Sequence, residues 1–326
     1  MSEITVRQAL NDAMKEEMRR DGTVIVMGCD VGNRGGPFGI TKDLLGEFGS
    51  KRAIDTPISE PAFTGAGVGA AATGLRPVVE ILYSDWITLS MDQLVNMAAK
   101  MRYMFGGKVN MPLVVRAPFG AGGGNAAQHS QSFENWFNHV PGLKVAAPIT
   151  PYDVKGMLKA AIRDDNPVIF FEHKRSYQMK GEVPSGEYIV PFGKAALRCE
   201  GTDVTIVSYS MMSVKAQQAA EELTQEGISC EVIDLRSILP LDYDTVMESV
   251  AKTSRVVVTQ EANLRGGLAG DIVAEIIDRG FDYLDAPPVR VGGLNVPMPY
   301  NMGLENYVIP SVEKIKEAVR KTMSAN

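Results

Sequence analysis

A glutamate at position 60 stands where a short apolar run gives way to a segment of small residues. The stretch Arg52–Gly74 reads RAIDTPISEPAFTGAGVGAAATG, with β-favouring residues first and helix-compatible residues after Pro61. Proline fits the first turn of a helix, where its missing N–H is not needed. Glu60 is therefore predicted at the carboxyl end of a strand, where open α/β sheets bind their ligands.

Two interpretations of Glu60 are open at this point. A carboxylate at a helix N-terminus stabilises the macrodipole by about 0.3–1 kcal/mol and needs no further role. Alternatively, Glu60 lies between Ile58 and the apolar residues Pro61–Phe63, is partly desolvated, and is suited to proton exchange with a ligand. The stretch by itself favours the first interpretation.

A histidine in a glycine-rich loop is the second candidate for acid–base chemistry. The loop APFGAGGGNAAQHSQS follows a predicted strand, Pro112–Arg116, and carries His129. Imidazole titrates near neutral pH and can transfer protons there, although a solvated loop histidine is the plainer interpretation. If Glu60, the strand end at Leu82–Trp86 and this loop share one sheet edge, they line a single crevice.

The run Gly65–Ala70, GAGVGA, formally matches the dinucleotide fingerprint G-x-G-x-x-G/A. In that fingerprint the glycines form the turn that leaves the strand, but here SEPAFT intervenes and places them inside a helix. The shared faces of Gly65 with Gly69, and of Gly67 with Ala71, would instead let another backbone approach closely, as at a helix–helix interface. A nicotinamide site is therefore not the preferred interpretation.

Composition limits the class of protein. The chain has 326 residues, 45% hydrophobic content and a net charge of −6, which suit a globular protein of two domains and argue against nucleic acid or an anionic membrane as partner. No apolar run approaches the length of a membrane span. The cysteines are 3 in number and far apart, which suits a reducing cytoplasm, and no zinc-ligand spacing is present.

The order of apolar strands and helices predicts an α/β fold with parallel sheets covered by helices. One long helix is expected over Trp86–Phe105. The alternation lapses in a polar stretch rich in glycine and proline and then resumes. We therefore predict a domain over residues 1–178, a linker over 179–195 and a smaller α/β domain over 196–326.

Runs throughout the chain carry a family resemblance. They include IDTPISE, DQLVNMAAKMRYM, AQHSQS and PGLKVAAP in the first domain, and EVIDLRSILPLD and EANLRGGLAGDI in the second. Together they resemble the β subunits of thiamin-diphosphate-dependent 2-oxo acid dehydrogenases. GCDVGNRGGPFGITK and MRYMFGGKV are most similar to acetoin dehydrogenase E1 β subunits, and next to pyruvate dehydrogenase E1 β subunits. The resemblance implies a pyrimidine-binding, transketolase-like domain followed by a transketolase C-terminal-type domain.

The same resemblance implies a role for each candidate residue in an oxidoreductase of a multienzyme complex. Thiamin diphosphate would bind between this chain and an E1 α subunit in an α2β2 heterotetramer. Glu60 would hydrogen-bond the aminopyrimidine ring nitrogen and favour the imino tautomer that takes a proton from the thiazolium carbon. Ile58, Leu82 and Trp86 would pack around the pyrimidine. His129 would serve the substrate adduct or the transfer to a lipoyl-bearing E2.

The substrate would be acetoin or a small 2-oxo acid. A pyruvate or branched-chain 2-oxo acid dehydrogenase E1 β subunit is the alternative, and a non-catalytic scaffold module with the same fold is the alternative of another class. In the family that the chain resembles, diphosphate and Mg²⁺ are bound by an acidic Gly-Asp-Gly-type motif with a downstream asparagine, which this chain lacks. The resemblance therefore assigns Mg²⁺ mainly to the α subunit, and the chain alone is expected to be inactive.

A structural potassium ion is also implied by the resemblance. The positions that match its surroundings in related subunits are Leu113, Ala161, Ile162, Asp164 and Asn166. Carbonyl and carboxylate oxygens suit such a hard cation. A capping turn at residues 164–167 would produce the same pattern, so both interpretations are kept.

Overall fold

The computed structural model describes residues 1–325, and these residues form two compact units. The first unit contains residues 1–119 and 136–192, and the second contains residues 120–135 and 193–325. These divisions differ from the predicted domains in two respects. Residues 120–135, the glycine-rich loop, belong to the second unit, and most of the predicted linker 179–195 belongs to the first.

A parallel sheet forms the centre of the first unit. Its strands lie in the order β6-β7-β5-β4-β2-β3, and every neighbouring pair is parallel. Strands β2, β5 and β7 are buried along their whole length, as expected for a parallel sheet with both faces covered. The strands of this unit are β1 (Ser2–Thr5), β2 (Val24–Gly28), β3 (Ala53–Asp55), β4 (Arg76–Glu80), β5 (Val114–Phe119), β6 (Lys144–Ala146), β7 (Val168–His173) and β8 (Lys180–Val183).

Strand β8 lies inside the segment that the sequence suggested was a linker. It pairs antiparallel with β1, with Ser2 opposite Val183 and Thr5 opposite Lys180. Thr5 also begins the first helix, because its hydroxyl accepts a hydrogen bond from the Gln8 amide (3.2 Å) while the Gln8 side chain accepts one from the Thr5 amide (2.9 Å). The polar composition of 179–195 therefore conceals an ordered edge ribbon.

The helices around this sheet bury their apolar faces on it. Leu10 and Met14 of α1 pack with Met157 and Leu158 of α6 in one buried cluster. The predicted helix over Trp86–Phe105 is divided into a 3-10 segment, Ser84–Ser90, a π-helical segment, Asp92–Ala98, and α4. The α-helices are α1 (Val6–Arg20), α2 (Leu44–Phe48), α3 (Glu60–Ala72), α4 (Ala99–Met104), α5 (Glu134–Asn138, which begins in the second unit) and α6 (Pro151–Arg163).

The chain reverses its direction of travel across the sheet at β2. From β2 it passes to β3 on one side, and α3 then carries it back to β4 on the other side. Such a switch point opens a crevice outside the carboxyl ends of the strands. Helix α3, with Glu60 at its start, begins at this edge.

The second unit is a smaller α/β assembly. Its sheet has the strand order β14-β13-β10-β11-β9, parallel except for β9. Among residues 1–325, no helix is both long enough and apolar enough to cross a bilayer. The elements are β9 (Ala196–Cys199), β10 (Val204–Ser208), α7 (Met211–Thr224), β11 (Cys230–Asp234), β12 (Ser237–Leu239), α8 (Tyr243–Thr253), β13 (Val256–Asn263), α9 (Leu268–Gly280), β14 (Val289–Gly293), α10 (Met302–Val308) and α11 (Val312–Met323).

Candidate functional site

The Glu60 side chain is almost fully buried at the first turn of α3, where 4% of the residue is exposed. Pro61 occupies the first turn as the sequence predicts, and the Ser59 carbonyl oxygen accepts hydrogen bonds from the amides of Ala62 (2.9 Å) and Phe63 (3.1 Å). Within residues 1–325, no hydrogen bond or ion pair reaches the Glu60 carboxylate. With no partner among these residues, this carboxylate is available to accept a hydrogen bond from a ligand.

Apolar and aromatic side chains lie beyond the carboxyl ends of β3 and β4, at the same edge as Glu60. Ile58 is 81% exposed, an unusual state for an isoleucine beside a buried acid. Leu82 and Trp86 are half-buried. The Trp86 ring meets the Tyr83 ring edge-on, with their centroids 5.3 Å apart. The centroids of the Phe38 and Tyr83 rings are 5.8 Å apart. The structure thus brings the predicted pyrimidine-contacting residues Ile58, Leu82 and Trp86 to one edge with Glu60.

A buried thiol also lies at the edge of the sheet where Glu60 lies. Cys29 follows directly after β2, and its Sγ donates to the Pro57 carbonyl oxygen at 3.6 Å. Burial raises the pKa of the Cys29 thiol, and the nearby Glu60 charge acts in the same direction. Cys29 is therefore held as a neutral thiol and contributes an apolar surface rather than a nucleophile.

A buried ion cluster fixes the strand ends beneath this edge. Arg116 of β5 is fully buried and donates through Nη1 to Glu80 of β4 (2.6 Å) and through Nε and Nη2 to Glu172 of β7 (2.6 and 2.8 Å). The Tyr177 hydroxyl donates to Glu172 as well, at 3.0 Å. Since breaking a buried pair leaves an uncompensated charge, this cluster holds three adjacent strands in register.

The five residues predicted for potassium lie around the end of α6 and the start of β5. Asp164 Oδ1 accepts hydrogen bonds from the amide (2.9 Å) and side chain (2.8 Å) of Asn166, and Lys144 pairs with the other carboxylate oxygen. The carbonyl oxygens of Leu113 and Ala161 accept from the amides of Val168 (2.8 Å) and Asp164 (3.2 Å). This arrangement is the capping turn that the sequence left open as an alternative.

The Arg76 guanidinium bears directly on the potassium prediction. Its Nη1 donates to the carbonyl oxygens of Ile162 and Asp164, at 3.1 Å each. A potassium ion bound there would share its oxygen ligands with a fixed positive charge, which is electrostatically unfavourable. The residues do not fit the ion well, so no role is derived for potassium and the site stays a prediction.

His129 lies in the second unit, half-buried, in the segment 120–135 that follows β5. At the end of this segment Glu134 is fully buried, and the Tyr209 hydroxyl donates to its Oε1 at 2.6 Å. Burial raises the pKa of Glu134 to about 7, and the charge of Glu261 acts in the same direction. The single crevice shared by His129 and Glu60 stays a prediction.

Sequence reasoning did not identify the groups that hold the glycine-rich loop. Glu261 and Glu305 accept hydrogen bonds from loop amides that are 140 and 183 residues away in the chain. Glu305 lies in no recognisable motif. Glu261 could have been noticed, because it is the one charged residue of the strand VVVTQEAN, which begins with three valines.

Comparison with known families defines the class to which this fold and site belong. Residues 2–180 match the family described as "Transketolase, pyrimidine binding domain", and residues 193–315 match "Transketolase, C-terminal domain". The predicted fold class is therefore confirmed. A solved structure titled "Split gene transketolase, inactive beta4 tetramer" superposes with a TM-score of 0.80 over 99% of each chain at 24% identity, which supports the fold alone.

Curated relatives narrow this class further. The chain is 47% identical to "Acetoin:2,6-dichlorophenolindophenol oxidoreductase subunit beta" of Cupriavidus necator, over 98% of this chain and 97% of the relative. It is also 47% identical to "Pyruvate dehydrogenase E1 component subunit beta" of Rhizobium meliloti, over 98% of this chain and 70% of the relative. The chain belongs to this family of dehydrogenase E1 β subunits, which confirms the resemblance given by its motifs.

The residues present fit the aminopyrimidine half of thiamin diphosphate. The Glu60 carboxylate offers a hydrogen-bond acceptor that no group within residues 1–325 uses, and Tyr83 and Trp86 supply flat apolar surface at the same edge of the sheet. Within residues 1–325, no group of His, Cys, Asp and Glu side chains is placed to hold a metal ion. Glu60 and the two aromatic rings are the residues that would hold a pyrimidine ring, in keeping with the description of the matched domain.

Proposed function

We propose that this chain is the β subunit of a thiamin-diphosphate-dependent E1 component. The enzyme cleaves acetoin or decarboxylates a 2-oxo acid and passes the acyl unit to a lipoyl group of an E2 partner. The observation that carries the proposal is the buried Glu60 carboxylate, which has no partner within residues 1–325 and lies at the switch point of a transketolase-type pyrimidine-binding domain.

Each candidate residue has a defined task in the proposal. Thiamin diphosphate, when bound, supplies the carbon nucleophile that attacks the substrate carbonyl. Glu60 accepts a hydrogen bond from the pyrimidine ring nitrogen and so holds a proton at that atom. Ile58, Leu82 and Trp86 exclude water from this bond, which strengthens it because the local dielectric is low. His129 serves the substrate adduct or the transfer of the acyl unit.

The activity requires a second kind of subunit in this proposal. The chain lacks an acidic Gly-Asp-Gly-type motif for Mg²⁺ and diphosphate, so we assign that half of the cofactor to an E1 α subunit in an α2β2 heterotetramer. The exposed Ile58 beside Glu60 is the kind of apolar surface that such a partner would cover. The chain alone should then show no turnover.

The substrate is best chosen by direct assay, because the acetoin-type and pyruvate-type relatives are equally similar to the chain, at 47% identity. The chain should be coexpressed with its α-type partner and assayed with acetoin, pyruvate and branched-chain 2-oxo acids. We expect acetoin to give the highest kcat/KM, in agreement with GCDVGNRGGPFGITK and MRYMFGGKV. A higher value for pyruvate or a branched-chain acid would assign the chain to that alternative.

Substitution Glu60→Gln tests the central role. The amide no longer carries the charge that holds a proton at the pyrimidine nitrogen, so we expect turnover of the reconstituted complex to fall by at least about 100-fold. Assembly with the α subunit should be unchanged, as measured by gel filtration. Without the cofactor, the stability of the complex should not fall, because glutamine keeps the size of the side chain and breaks no hydrogen bond within residues 1–325.

Glu313→Gln is the control, since Glu313 is an exposed acid in the first turn of another helix, α11, where its surface ion pairs with Lys316 and Arg320 contribute little. If both glutamates only complement helix dipoles, both variants should lose a few tenths of a kcal/mol of stability and neither should lose activity. Near-normal turnover in Glu60→Gln would contradict the proposed role. A correctly assembled wild-type complex without turnover on any of these substrates would favour the scaffold alternative.

A further inference from the structure

The glycine-rich segment that leads to His129 has a backbone that turns repeatedly into the left-handed region. The φ values are +89° at Gly120, +91° at Gly122, +64° at Gly124 and +60° at Ala126. Glycine adopts this region without steric cost. The consequence is that successive amide N–H groups of the segment are available to acceptors outside it.

A single buried carboxylate accepts hydrogen bonds from two of these amides. Glu305 of α10 is 0% exposed, and its Oε1 accepts from the Gly122 amide while its Oε2 accepts from the Gly124 amide, both at 2.9 Å. Gly124 also lies close to Met302 and to the Tyr300 carbonyl oxygen, which form a surface beneath the loop. Both oxygens of Glu305 are thus used on the loop backbone.

Other groups of the same unit hold the rest of the segment. Glu261 of β13 accepts from the Ala121 amide at 2.6 Å. At the far end, Tyr209 donates to Glu134, and the Asn135 side chain donates to the Gly266 carbonyl oxygen at 2.5 Å. His129 therefore lies between two anchored ends, and its position depends on both.

We propose that Glu305, assisted by Glu261, is a positioning residue for His129. The carboxylate fixes the backbone of 121–124 through charge-assisted hydrogen bonds, which are stronger than neutral ones, and so sets where the imidazole is presented. Glutamine cannot replace it, because its amide group would point a donor at one of the two loop N–H groups. The inference rests on the proposed function, since it gives His129 a task in that reaction.

Hydrogen exchange on the reconstituted α/β complex gives a readout that does not depend on activity. In Glu305→Gln, the amides of Gly122 and Gly124 should exchange at least about tenfold faster, while peptides from β5 stay unchanged. Glu305→Asp keeps both acceptor oxygens and the charge, so it should restore part of the protection. Glu248→Gln, an exposed glutamate on α8, is the control and should leave exchange unaltered. Unchanged exchange in Glu305→Gln would overturn the inference.

Kinetics then show whether Glu305 acts through His129. Glu305→Gln should lower kcat by about tenfold and leave thiamin diphosphate affinity unchanged, and Glu305→Asp should lower it less. His129→Ala should lower kcat more, and the double variant should be no worse than His129→Ala alone, as expected for groups that act as a unit. Losses that multiply in the double variant would show that Glu305 acts independently and would overturn the inference.

The two levels of the proposal fail in different ways. If His129→Ala lowers turnover but Glu305→Gln changes neither exchange nor kcat, the positioning role of Glu305 is overturned and the proposed function stands. If Glu60→Gln and His129→Ala both retain full turnover, the proposed function fails. In that case faster exchange in Glu305→Gln would reflect loop structure alone, and the proposed role of Glu305 in positioning His129 for the reaction would be overturned as well.

Discussion

Glu134 carries a carboxyl group whose ionisation is opposed by its surroundings. The residue is 0% exposed, its Oε1 accepts the Tyr209 hydroxyl, and its Oε2 has no hydrogen-bond partner among the described residues. Burial raises the pKa of Glu134 from 4.5 to about 7, with the Glu261 charge acting in the same direction. The folded chain therefore binds a proton here at pH values where the unfolded chain has lost it.

The substitution Glu134→Gln should change how stability depends on pH. Because the folded pKa lies above the unfolded one, the wild type loses stability as pH rises from 4.5 to about 7. The loss is on the order of 3 kcal/mol at most. Glutamine does not titrate, so the difference in Tm between variant and wild type should grow in the variant's favour from pH 5 to pH 8. Thermal unfolding of the complex at several pH values measures it, with Glu248→Gln as the flat control.

At the scale of single residues, the sequence predicted the position of Glu60 between a strand and a helix, but it did not predict the surroundings of its side chain. The run IDTPISEP gives the junction of strand and helix directly, because proline and the change of composition mark it. That Glu60 is buried and that its carboxylate has no partner among the described residues follow from how β2, β3 and β4 meet, which local patterns do not encode. Ile58 is similar, since an apolar residue in a strand-like run would ordinarily be expected to be buried.

Helix α3 shows how small residues on different faces have different roles. Gly67 and Ala71 are buried, and a Cβ added at Gly67 would lie 2.7 Å from Val79 Cγ2 of β4. Gly69 is exposed, and a Cβ there would meet nothing within 4 Å. The face of Gly67 therefore lets the helix lie close to its own sheet, while the face of Gly69 is open in this chain.

This contrast predicts opposite effects for two matched substitutions. Gly67→Ala should lower the free energy of unfolding by about 1–3 kcal/mol, because the added methyl group overpacks the helix against β4. Gly69→Ala should raise it by up to about 1 kcal/mol, since alanine is the better helix former. Urea unfolding of the complex compares them. If instead Gly69→Ala weakens assembly with the α subunit in gel filtration, the open face is the helix–helix interface that the sequence suggested.

At the scale of elements, the segment after β4 shows a feature of helices that the sequence pattern does not predict. The sequence over Trp86–Phe105 contains neither proline nor glycine, so one continuous helix was the natural expectation. The chain instead passes from a 3-10 segment through the π-helical Asp92–Ala98 to α4. A π-turn adds a residue per turn without requiring a special residue type, so composition gives no sign of it.

At the scale of the whole molecule, the proposed cofactor should stabilise the assembled protein. Thiamin diphosphate with Mg²⁺ should raise the Tm of the reconstituted complex, with a free-energy gain of about 2.7 kcal/mol at a concentration 100 times Kd. NADH should have no effect, because the glycines of GAGVGA lie inside α3 rather than in a strand-to-helix turn. Differential scanning fluorimetry with each ligand separates the two. Stabilisation by NADH alone would support a nicotinamide enzyme instead.

The alternation of strands and helices was sufficient to predict the α/β class and a division into two parts. It could not predict strand order, because β2 lies between β3 and β4 only as a result of packing. It also could not assign residues 120–135 to the second unit. That assignment comes from hydrogen bonds to Glu261 and Glu305, which are far away in the chain and carry no local signal.

The path of the glycine-rich segment determines whether the two units can be produced as separate fragments. A genetic cut after residue 192 would leave Gly122 and Gly124 on one fragment and their acceptor, Glu305, on the other. The C-terminal fragment would keep Glu305 with nothing bound to its oxygens, and the N-terminal fragment would carry a loop that has lost its supports. Residues 120–135 of the N-terminal fragment belong to the unit that the C-terminal fragment forms, so the two fragments are expected to be recovered as a pair rather than as separate folded pieces.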